Sequence, residues 1–174
     1  MRAADQLTLA PPAAVALHRV DMAEANELLD EWGHYLGPCL RPFHQEGWML
    51  TVGARPISVA VSASAVATDT AGYHRSRLVE LARLCSAPTD SWATRVMLRL
   101  WREALAPAWE SWPPEAAIAY SQNARHDGRI YRFDGWTKVS DRAGESGGGG
   151  AWTRPRGSAD AARGRKTLWL WRYR

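Results

Sequence analysis

The segment from residue 78 to residue 121 constrains the fold most, because a strand pattern, a long helix pattern and a second strand pattern follow one another there. In "LVELARLC", Leu78 and Glu80 alternate with Val79 and Leu81, which is the period of a strand. "PTDSWATRVMLRLWREALAPAW" carries an apolar stripe at helical spacing, and "EAAIAYS" is a second apolar strand. This order predicts a β–α–β unit at the centre of a sheet.

The remaining patterns predict an α/β protein with a mixed central sheet flanked by helices. "DMAEANELLDEW" has helical spacing, with Asp21 as its N-cap and Gly33 as its end. Asp90 or Ser91 is expected to cap the long helix. The other predicted elements are two strands around a turn at Gly53 to Pro56, a short helix from Asp127 to Phe133, a strand from Trp136 and a final strand in "TLWLWRYR".

Size and composition predict one domain over residues 1–174, preceded by a flexible N-terminus of about 15 residues. The chain has 174 residues, 46% of them apolar and 23% charged, as in ordinary globular proteins. Its two cysteines, Cys39 and Cys85, are too few for a disulfide framework. Neither a signal peptide nor an apolar run of roughly 20 residues is present, so we expect a cytoplasmic protein without a membrane span.

The charge of the chain is uneven, because its basic residues are concentrated near the C-terminus. The formal net charge is +4, and in residues 142–174 arginines and a lysine far outnumber Glu145 and Asp160. The glycine-rich stretch of about 142–166 is predicted to be an exposed loop. Such a segment faces a polyanion or is simply basic for solubility, and the sequence leaves both open.

Several short segments resemble the GCN5-related N-acetyltransferase (GNAT) superfamily, most closely its branch of Mom-type phage DNA-modification proteins and small bacterial N-acyltransferases. "HYLGP" is similar to a His-His-Tyr loop of that branch, with Gly33 in place of the first histidine. "VELARLCSAPTDSWATRVMLRLWREAL" resembles its Glu-x-x-Arg-Leu-Cys strand and following helix. "YSQNARHDGRIYRFDGWTKV" and the tail "AWTRPRG…RKTLWLWRY" resemble later segments, so the likeness spans residues 30–174.

The resemblance implies that acyl-coenzyme A, acetyl-CoA in the simplest case, binds where two central strands part, here residues 78–85 and 116–121. Its pantetheine arm would pair with exposed strand backbone, and its pyrophosphate would lie at the N-terminus of the long helix. Unlike common members of the superfamily, "SAPTDSWAT" has no glycine, and Asp90 would repel a phosphate unless it faces away. The implied cofactor-binding residues are Leu84, Cys85, Ser86, Ser91, Trp92, Ala93, Thr94 and Asn123.

The same resemblance assigns chemical roles to individual residues. Tyr131 would be the general acid for the leaving thiolate, or else pack against the sheet. Glu80 would be the general base, or else a salt-bridged strand residue, with Arg83 as its partner. A β-bulge would bring Glu80 and Arg83 to one side of the strand. Ser121 or Asn123 would bond the cofactor or the acceptor, and the predicted acceptor-covering residues are His34 and Tyr35. No metal site is predicted.

Three functions remain open from the sequence. The first is a Mom-like transferase that modifies an exocyclic amine of a base in double-stranded DNA, with adenine as the first choice. The second is an N-acetyltransferase for a small-molecule or protein amine, and the third is an inactive nucleic-acid-binding module. A homodimer is left open. The residues predicted to contact DNA phosphates are Arg154, Arg156, Arg163, Arg165 and Lys166.

Overall fold

The computed structural model describes residues 14–143 and 164–173, which form seven main strands and three helices. No helix within these ranges combines the length and the hydropathy that a membrane crossing requires. In chain order the elements are β1 (Val15–Val20), α1 (Met22–Glu31), β2 (Gln45–Val52), β3 (Arg55–Ala63), β4 (Leu78–Ser86), α2 (Ala93–Leu100), β5 (Ala116–Gln122), α3 (Arg129–Phe133), β6 (Thr137–Ala143) and β7 (Lys166–Arg172).

The seven strands form one mixed sheet in the order β1-β2-β3-β4-β5-β7-β6. β4 and β5 are parallel, and the other neighbouring pairs are antiparallel. The connection between β4 and β5 runs through α2, so the predicted central β–α–β unit is confirmed. The predicted fold class, an α/β arrangement with a mixed sheet flanked by helices, is confirmed as well.

Local signals place α1 and the first hairpin where the sequence predicts them. The Asp21 side chain accepts a hydrogen bond from the Glu24 N–H at 2.8 Å, which makes it the N-cap of α1. Gly33 follows the helix with a φ of +64°, a conformation that glycine adopts readily. Gly53, with a φ of +60°, forms the turn between β2 and β3.

The strands that flank the predicted flexible segments begin or end close to the predicted boundaries. The predicted flexible N-terminus overlaps β1, which begins at Val15 and pairs along its length with β2. The predicted basic loop overlaps β6 up to Ala143 and β7 from Lys166. The intervening residues 144–163 lie outside the described residues. β1 escaped prediction because its short alternation of apolar and polar residues follows a proline-rich stretch.

The start of α2 also differs from its prediction. The helix begins at Ala93 with Trp92 as its N-cap, and no side chain caps it. Asp90, predicted as one possible cap, instead lies in a 3₁₀ turn and forms an ion pair with Arg55. An ionic partner from β3 competes with the local cap, which is a tertiary effect that spacing does not reveal.

Each face of the sheet carries its own core. α2 and the π-helical turn that continues it, Trp101–Leu105, cover one face, where Met97 and Trp101 are fully buried. α1 covers part of the opposite face through Leu29 and Ala25. We call these the α2 face and the α1 face. On the strands the two faces alternate, so that Val79 and Leu81 of β4 belong to the α2 face.

A group of aromatic rings joins α3 to the sheet on the α2 face. The Tyr131 ring stacks on Trp169 at a centroid distance of 5.7 Å and meets Trp136 edge-on at 5.5 Å. Gly128 precedes α3 with a φ of +70°, and a Cβ there would lie 2.2 Å from a carbon of the Trp169 ring. The close approach of this backbone to Trp169 therefore sets the position of α3.

Replacing Gly128 by alanine should destabilise the protein more than the same change at Gly53. Both positions have a positive φ, which costs an alanine roughly 1–2 kcal/mol. A Cβ at Gly53 meets no atom within 4 Å, whereas at Gly128 it collides with Trp169, and overpacking adds roughly 1–3 kcal/mol. Urea unfolding of Gly128→Ala and Gly53→Ala measures the difference; equal losses would show that α3 does not depend on this contact.

Candidate active site

The wedge between β4 and β5 is the central feature of the site. The two strands pair from Leu78↔Ala116 to Leu81↔Ala119, and beyond these pairs the described strands do not bridge, although both continue. The opening therefore lies at the C-terminal ends of two parallel strands, where ligands commonly bind in open sheets. The predicted parting of the strands is confirmed.

A β-bulge in β4 accompanies the opening. Val61 of β3 pairs with Arg83 and its neighbour Ser62 pairs with Leu81, so Ala82 is an extra residue in β4. Bulges bend a strand and increase its twist, which separates it from one neighbour. The extra residue also places Arg83 on the α1 face, where its guanidinium contacts the loop after α1.

Glu80 faces the same side and forms a buried ion pair with Arg41. The carboxylate is almost fully buried, and the Arg41 guanidinium binds both of its oxygens, one of them at 2.8 Å. Arg41 also donates to the Ser64 carbonyl at 2.7 Å. The predicted ion-paired state of Glu80 is therefore present, but its partner is Arg41, and Arg83 is not bonded to it.

Arg83 holds the loop that follows α1. Its guanidinium donates hydrogen bonds to three backbone carbonyls, those of Gly37 at 2.9 Å, Pro38 at 3.1 Å and Ala82 at 2.8 Å. Within the described ranges no carboxylate lies within salt-bridge distance of Arg83. Burial lowers the pKa of Arg83, and the charge of Arg41 acts in the same direction.

The loop after α1 and the loop after β5 meet over the wedge. His34 stacks on Tyr35 with ring centroids 5.1 Å apart, and Tyr35 contacts the His126 ring at 5.8 Å. The Arg125 guanidinium lies over the Tyr35 ring at 5.5 Å. These four side chains, two from each loop, thus form a single polar and aromatic cover.

His34 is neutral in this environment. Burial lowers its pKa to about 3, and the positive charges of Arg83 and His126 act in the same direction. Its Nδ1 accepts a hydrogen bond from the Leu36 N–H at 3.3 Å, which assigns the ring proton to Nε2. At neutral pH His34 therefore offers an N–H donor.

Tyr131 reaches the wedge from α3. Its ring is held by Trp169 and Trp136, and within the described ranges its hydroxyl has no hydrogen-bond partner. Burial raises its pKa above the ordinary phenol value, and the nearby Tyr35 and Glu80 act in the same direction. The hydroxyl is consequently a protonated, unengaged donor across the working pH range.

Seven of the eight predicted cofactor-binding residues lie at the end of β4, in the loop after it or at the start of α2. Leu84 and Cys85 lie on β4 beyond its last pair with β5, while Ser91 and Trp92 are exposed and Ala93 is buried at the start of α2. The Ser86 hydroxyl bonds the Thr94 hydroxyl at 2.7 Å, which ties β4 to α2. The first backbone N–H groups of α2 lack a side-chain cap.

Asp90 does not leave an unpaired negative charge in this loop. Both carboxylate oxygens bind Arg55, and Thr89 donates to one of them at 2.8 Å. These hydrogen bonds lower the pKa of Asp90, so the carboxylate stays ionised and paired. A phosphate can lie near Asp90 only if the carboxylate faces away from it. The bonds to Arg55 and Thr89 hold the carboxylate in this way.

Ser121 and Asn123 have partners within the protein. The Ser121 hydroxyl accepts from the Trp169 Nε1–H at 2.9 Å and so helps to place the ring on which Tyr131 stacks. Asn123 donates to the Asp141 carbonyl and accepts from the Thr167 hydroxyl. The geometry favours a supporting role for both residues over the predicted direct contact with a ligand.

The predicted DNA-contacting residues fall into different places. Arg154, Arg156 and Arg163 lie outside the described residues. Arg165 is exposed just before β7, whereas Lys166 is half-buried at its first position. Lys166 pairs with Gln122 of β5 through the backbone, and this register places its side chain on the α1 face, with that of Leu168.

Sequence reasoning missed three contributors to the site. Arg41 was not singled out, because only the tertiary fold brings it to Glu80, 39 positions away. Tyr120, whose pKa burial raises to about 12, belongs to the α1 face beside Glu80. Lys166 was assigned to a DNA-binding surface. The two-residue alternation of β7 was a usable signal for Lys166, since Leu168 is buried on the same face.

The neutral His34 predicts a stability that falls as the pH is lowered. Its folded pKa of about 3 lies below the ordinary value of 6.5, so between these values the unfolded chain binds a proton that the folded protein excludes. Above pH 6.5 this penalty is absent, and at pH 5 it is about 2 kcal/mol. The stability lead of the parent protein over His34→Gln should therefore shrink from pH 7 to pH 5.

Urea unfolding at both pH values measures this lead. His74→Gln serves as the matched control for the loss of an imidazole, because His74 is exposed. A lead over His34→Gln that stays constant between the two pH values would contradict a buried neutral His34.

Comparisons with known proteins give a structural likeness without a sequence match. No protein-family model matches the chain, and no curated protein matches it significantly. The GNAT domain of S. lividans PAT is 14% identical at a TM-score of 0.58, over 91% of this chain and 90% of that one. The ribosomal-protein-S18-alanine N-acetyltransferase from Escherichia coli is 9% identical at a TM-score of 0.56, over 90% of this chain and 91% of that one.

A third solved structure contains a bound coenzyme. The Campylobacter jejuni N-acetyltransferase PseH in complex with acetyl coenzyme A is 11% identical at a TM-score of 0.54, over 92% of this chain and 100% of that one. At such low identities the likeness concerns the fold. Together with the strand order and the parted central strands, it shows that this chain has the GNAT fold.

Proposed function

We propose that this protein is an N-acyltransferase that uses an acyl-coenzyme A, with acetyl-CoA as the simplest donor. The observation that carries the proposal is the wedge between β4 and β5, with the unengaged Tyr131 hydroxyl beside it. The GNAT fold of the chain supports it, since acetyltransferases share that fold. Fold alone does not fix a reaction, so the residues of the wedge have to fit the donor and the chemistry.

The residues present fit the donor in two respects. The facing edges of β4 beyond Leu81 and β5 beyond Ala119 do not pair with each other, so their backbone groups can bond an extended amide-containing arm. The N-terminus of α2 has no side-chain cap, and its Thr94 and Arg95 N–H groups make only long bonds to the carbonyls of the preceding turn, at 3.4 and 3.3 Å, which a pyrophosphate could replace. The nearby Asp90 is neutralised by Arg55, which removes the main electrostatic objection.

When bound, acyl-coenzyme A supplies an activated thioester carbon and a thiolate that leaves on transfer to an amine. Tyr131 holds a proton at its hydroxyl oxygen, and its raised pKa keeps it protonated, so that the hydroxyl can donate a hydrogen bond to the negative charge that develops on the leaving sulfur. We assign to it the role of general acid for the leaving sulfur. Trp169 and Trp136 fix the ring so that the hydroxyl is pre-oriented.

The acceptor must lose a proton before it can attack, and Glu80 is the carboxylate of the wedge. Both of its oxygens bind Arg41, so we assign it a positioning role rather than direct deprotonation: the pair holds a water, and this water passes the proton of the amine to solvent. His34 offers its Nε2–H, and Tyr35 lies next to it. These two residues would cover and orient the acceptor.

A narrower proposal, on the acceptor, follows from the resemblance of the sequence to Mom-type proteins. In that case the acceptor is the exocyclic amine of a DNA base, adenine first, and Arg165 is a candidate phosphate contact on the surface. Nucleosides from cells that express the protein, compared by mass spectrometry with cells that express Tyr131→Phe, provide the test. A modified nucleoside only with the parent protein supports DNA as the acceptor; identical nucleosides at equal expression contradict it.

Tyr131→Phe should bind acetyl-CoA as the parent does but transfer the acyl group roughly a hundredfold more slowly or worse, because only the proton donor is removed. Thermal unfolding with and without acetyl-CoA measures binding, and thiol release with a panel of primary amines measures kcat. Tyr173→Phe is the matched control, since it removes a buried phenol oxygen in a different part of the core.

Two results would contradict the proposed function. If acetyl-CoA leaves the unfolding temperature unchanged, the wedge does not bind the donor, and an inactive binding module becomes the better interpretation. If Tyr131→Phe keeps the parent kcat while Tyr173→Phe does too, Tyr131 is not the general acid.

A further inference from the structure

The strand register of β7 places Lys166 on the α1 face of the sheet. Lys166 pairs with Gln122, and two residues further along β7 Leu168 pairs with Tyr120. Leu168 packs with Ile118 on the α1 face, and Ile118 is the partner of Glu80. Side chains two apart share a face, so the Lys166 side chain extends from the same face as Glu80.

We call Arg41, Glu80, Arg83 and Lys166 the cationic cluster. It contains three positive side chains and one carboxylate. The charge of Arg41 is balanced by Glu80, because the guanidinium binds both oxygens of that carboxylate. Arg83 donates to backbone carbonyls, and within the described ranges Lys166 has no ion pair or side-chain hydrogen bond. Among the described residues, neither Arg83 nor Lys166 therefore has a carboxylate partner.

Unpaired charges in such a place are costly unless a counter-ion arrives. Arg83 and Lys166 are both half-buried. Burial lowers the pKa of Lys166, and the charges of Arg83 and Arg41 lower it further, while Glu80 opposes them. Like charges held together out of water repel each other, and an anion placed between them relieves both the repulsion and the lost hydration.

We propose that the acceptor is a small amine that also carries a carboxylate or a phosphate, and that Lys166 and Arg83 bind this acidic group. The proposal rests on the proposed N-acyltransferase function and adds the class of acceptor. The acidic group would lie on the α1 face, and the amine would be directed across the wedge toward Tyr131.

The position of the cluster favours a small acceptor over a nucleic acid. The two covering loops meet through the Tyr35 ring, which lies 5.8 Å from the His126 ring and 5.5 Å from the Arg125 guanidinium. A duplex presents its phosphates on a broad outer surface, which suits exposed arginines rather than half-buried cations beneath a cover. An amine of a few carbon atoms can enter such a site whole.

Matched pairs of amines test the proposal with the full chain. 4-Aminobutyrate is compared with butylamine, and phosphoethanolamine with ethanolamine, so each pair differs only by its acidic group. Spermidine, a cationic amine, and a DNA duplex are tested as alternative acceptors. We expect the acidic member of at least one pair to exceed its neutral partner in kcat/KM by about tenfold or more, as a charge-assisted bond would give.

Lys166→Met should remove this preference, with KM for the acidic amine raised roughly ten- to a hundredfold and kcat changed far less. Lys166→Arg should restore most of it. Lys138→Gln is the matched control, because Lys138 is the other lysine of the chain and lies on β6, exposed and paired with Asp141. It should keep the parent preference.

A binding measurement separates this proposal from the proposed function. Calorimetric titration with 4-acetamidobutyrate and with N-butylacetamide needs no turnover, and only the acid should bind. Failure of acetyl-CoA to bind, with the acid still bound, overturns the acyltransferase function and leaves the anion site. Equal behaviour of acidic and neutral partners, better use of spermidine or DNA, or a Lys166→Met variant with an unchanged preference overturns the anion site.

Discussion

The separation of β4 from β5 is the constraint on which the rest of the structure depends. Four residue pairs hold these strands together at one end, and a one-residue bulge at Ala82 turns β4 away from its neighbour. Two consequences follow from the same bulge. It leaves backbone edges without a partner strand, and it brings Arg83 to the face that carries Glu80. A regular β4 would close the wedge and place Arg83 in the opposite core.

The two faces of the wedge differ in chemistry because different helices cover them. On the α2 face, the rings of Trp136 and Trp169 pack against the Tyr131 ring, and the hydroxyl is the polar group of this aromatic cluster that faces the wedge. On the α1 face, α1 covers only part of the sheet, and the remaining area carries the cationic cluster and the two covering loops. Tyr131 and the cationic cluster therefore lie on opposite faces of the sheet.

Buried polar residues in this protein serve more than one purpose. Ser121 accepts a hydrogen bond from Trp169, which in turn supports Tyr131 and forces Gly128 to be a glycine. Arg102, buried against the Trp171 ring at 3.9 Å, donates to the Asp134 carbonyl at the end of α3. These contacts explain how a helix of five residues, too short to be stable alone, can hold a side chain in a fixed orientation.

The sequence by itself determined the elements whose signals are local. Asp21 and Gly33 delimit α1, Gly53 sets the first hairpin, and the strand–helix–strand order between residues 78 and 121 specifies a parallel pair. The tertiary structure alone decided which charges meet. Arg41 reaches Glu80, Arg55 takes Asp90 away from the cap of α2, and Lys166 comes to the sheet face that carries Glu80. The reason is physical: capping and periodicity depend on neighbours within a few residues, whereas ion pairing and burial depend on distances between segments that only the folded sheet brings together.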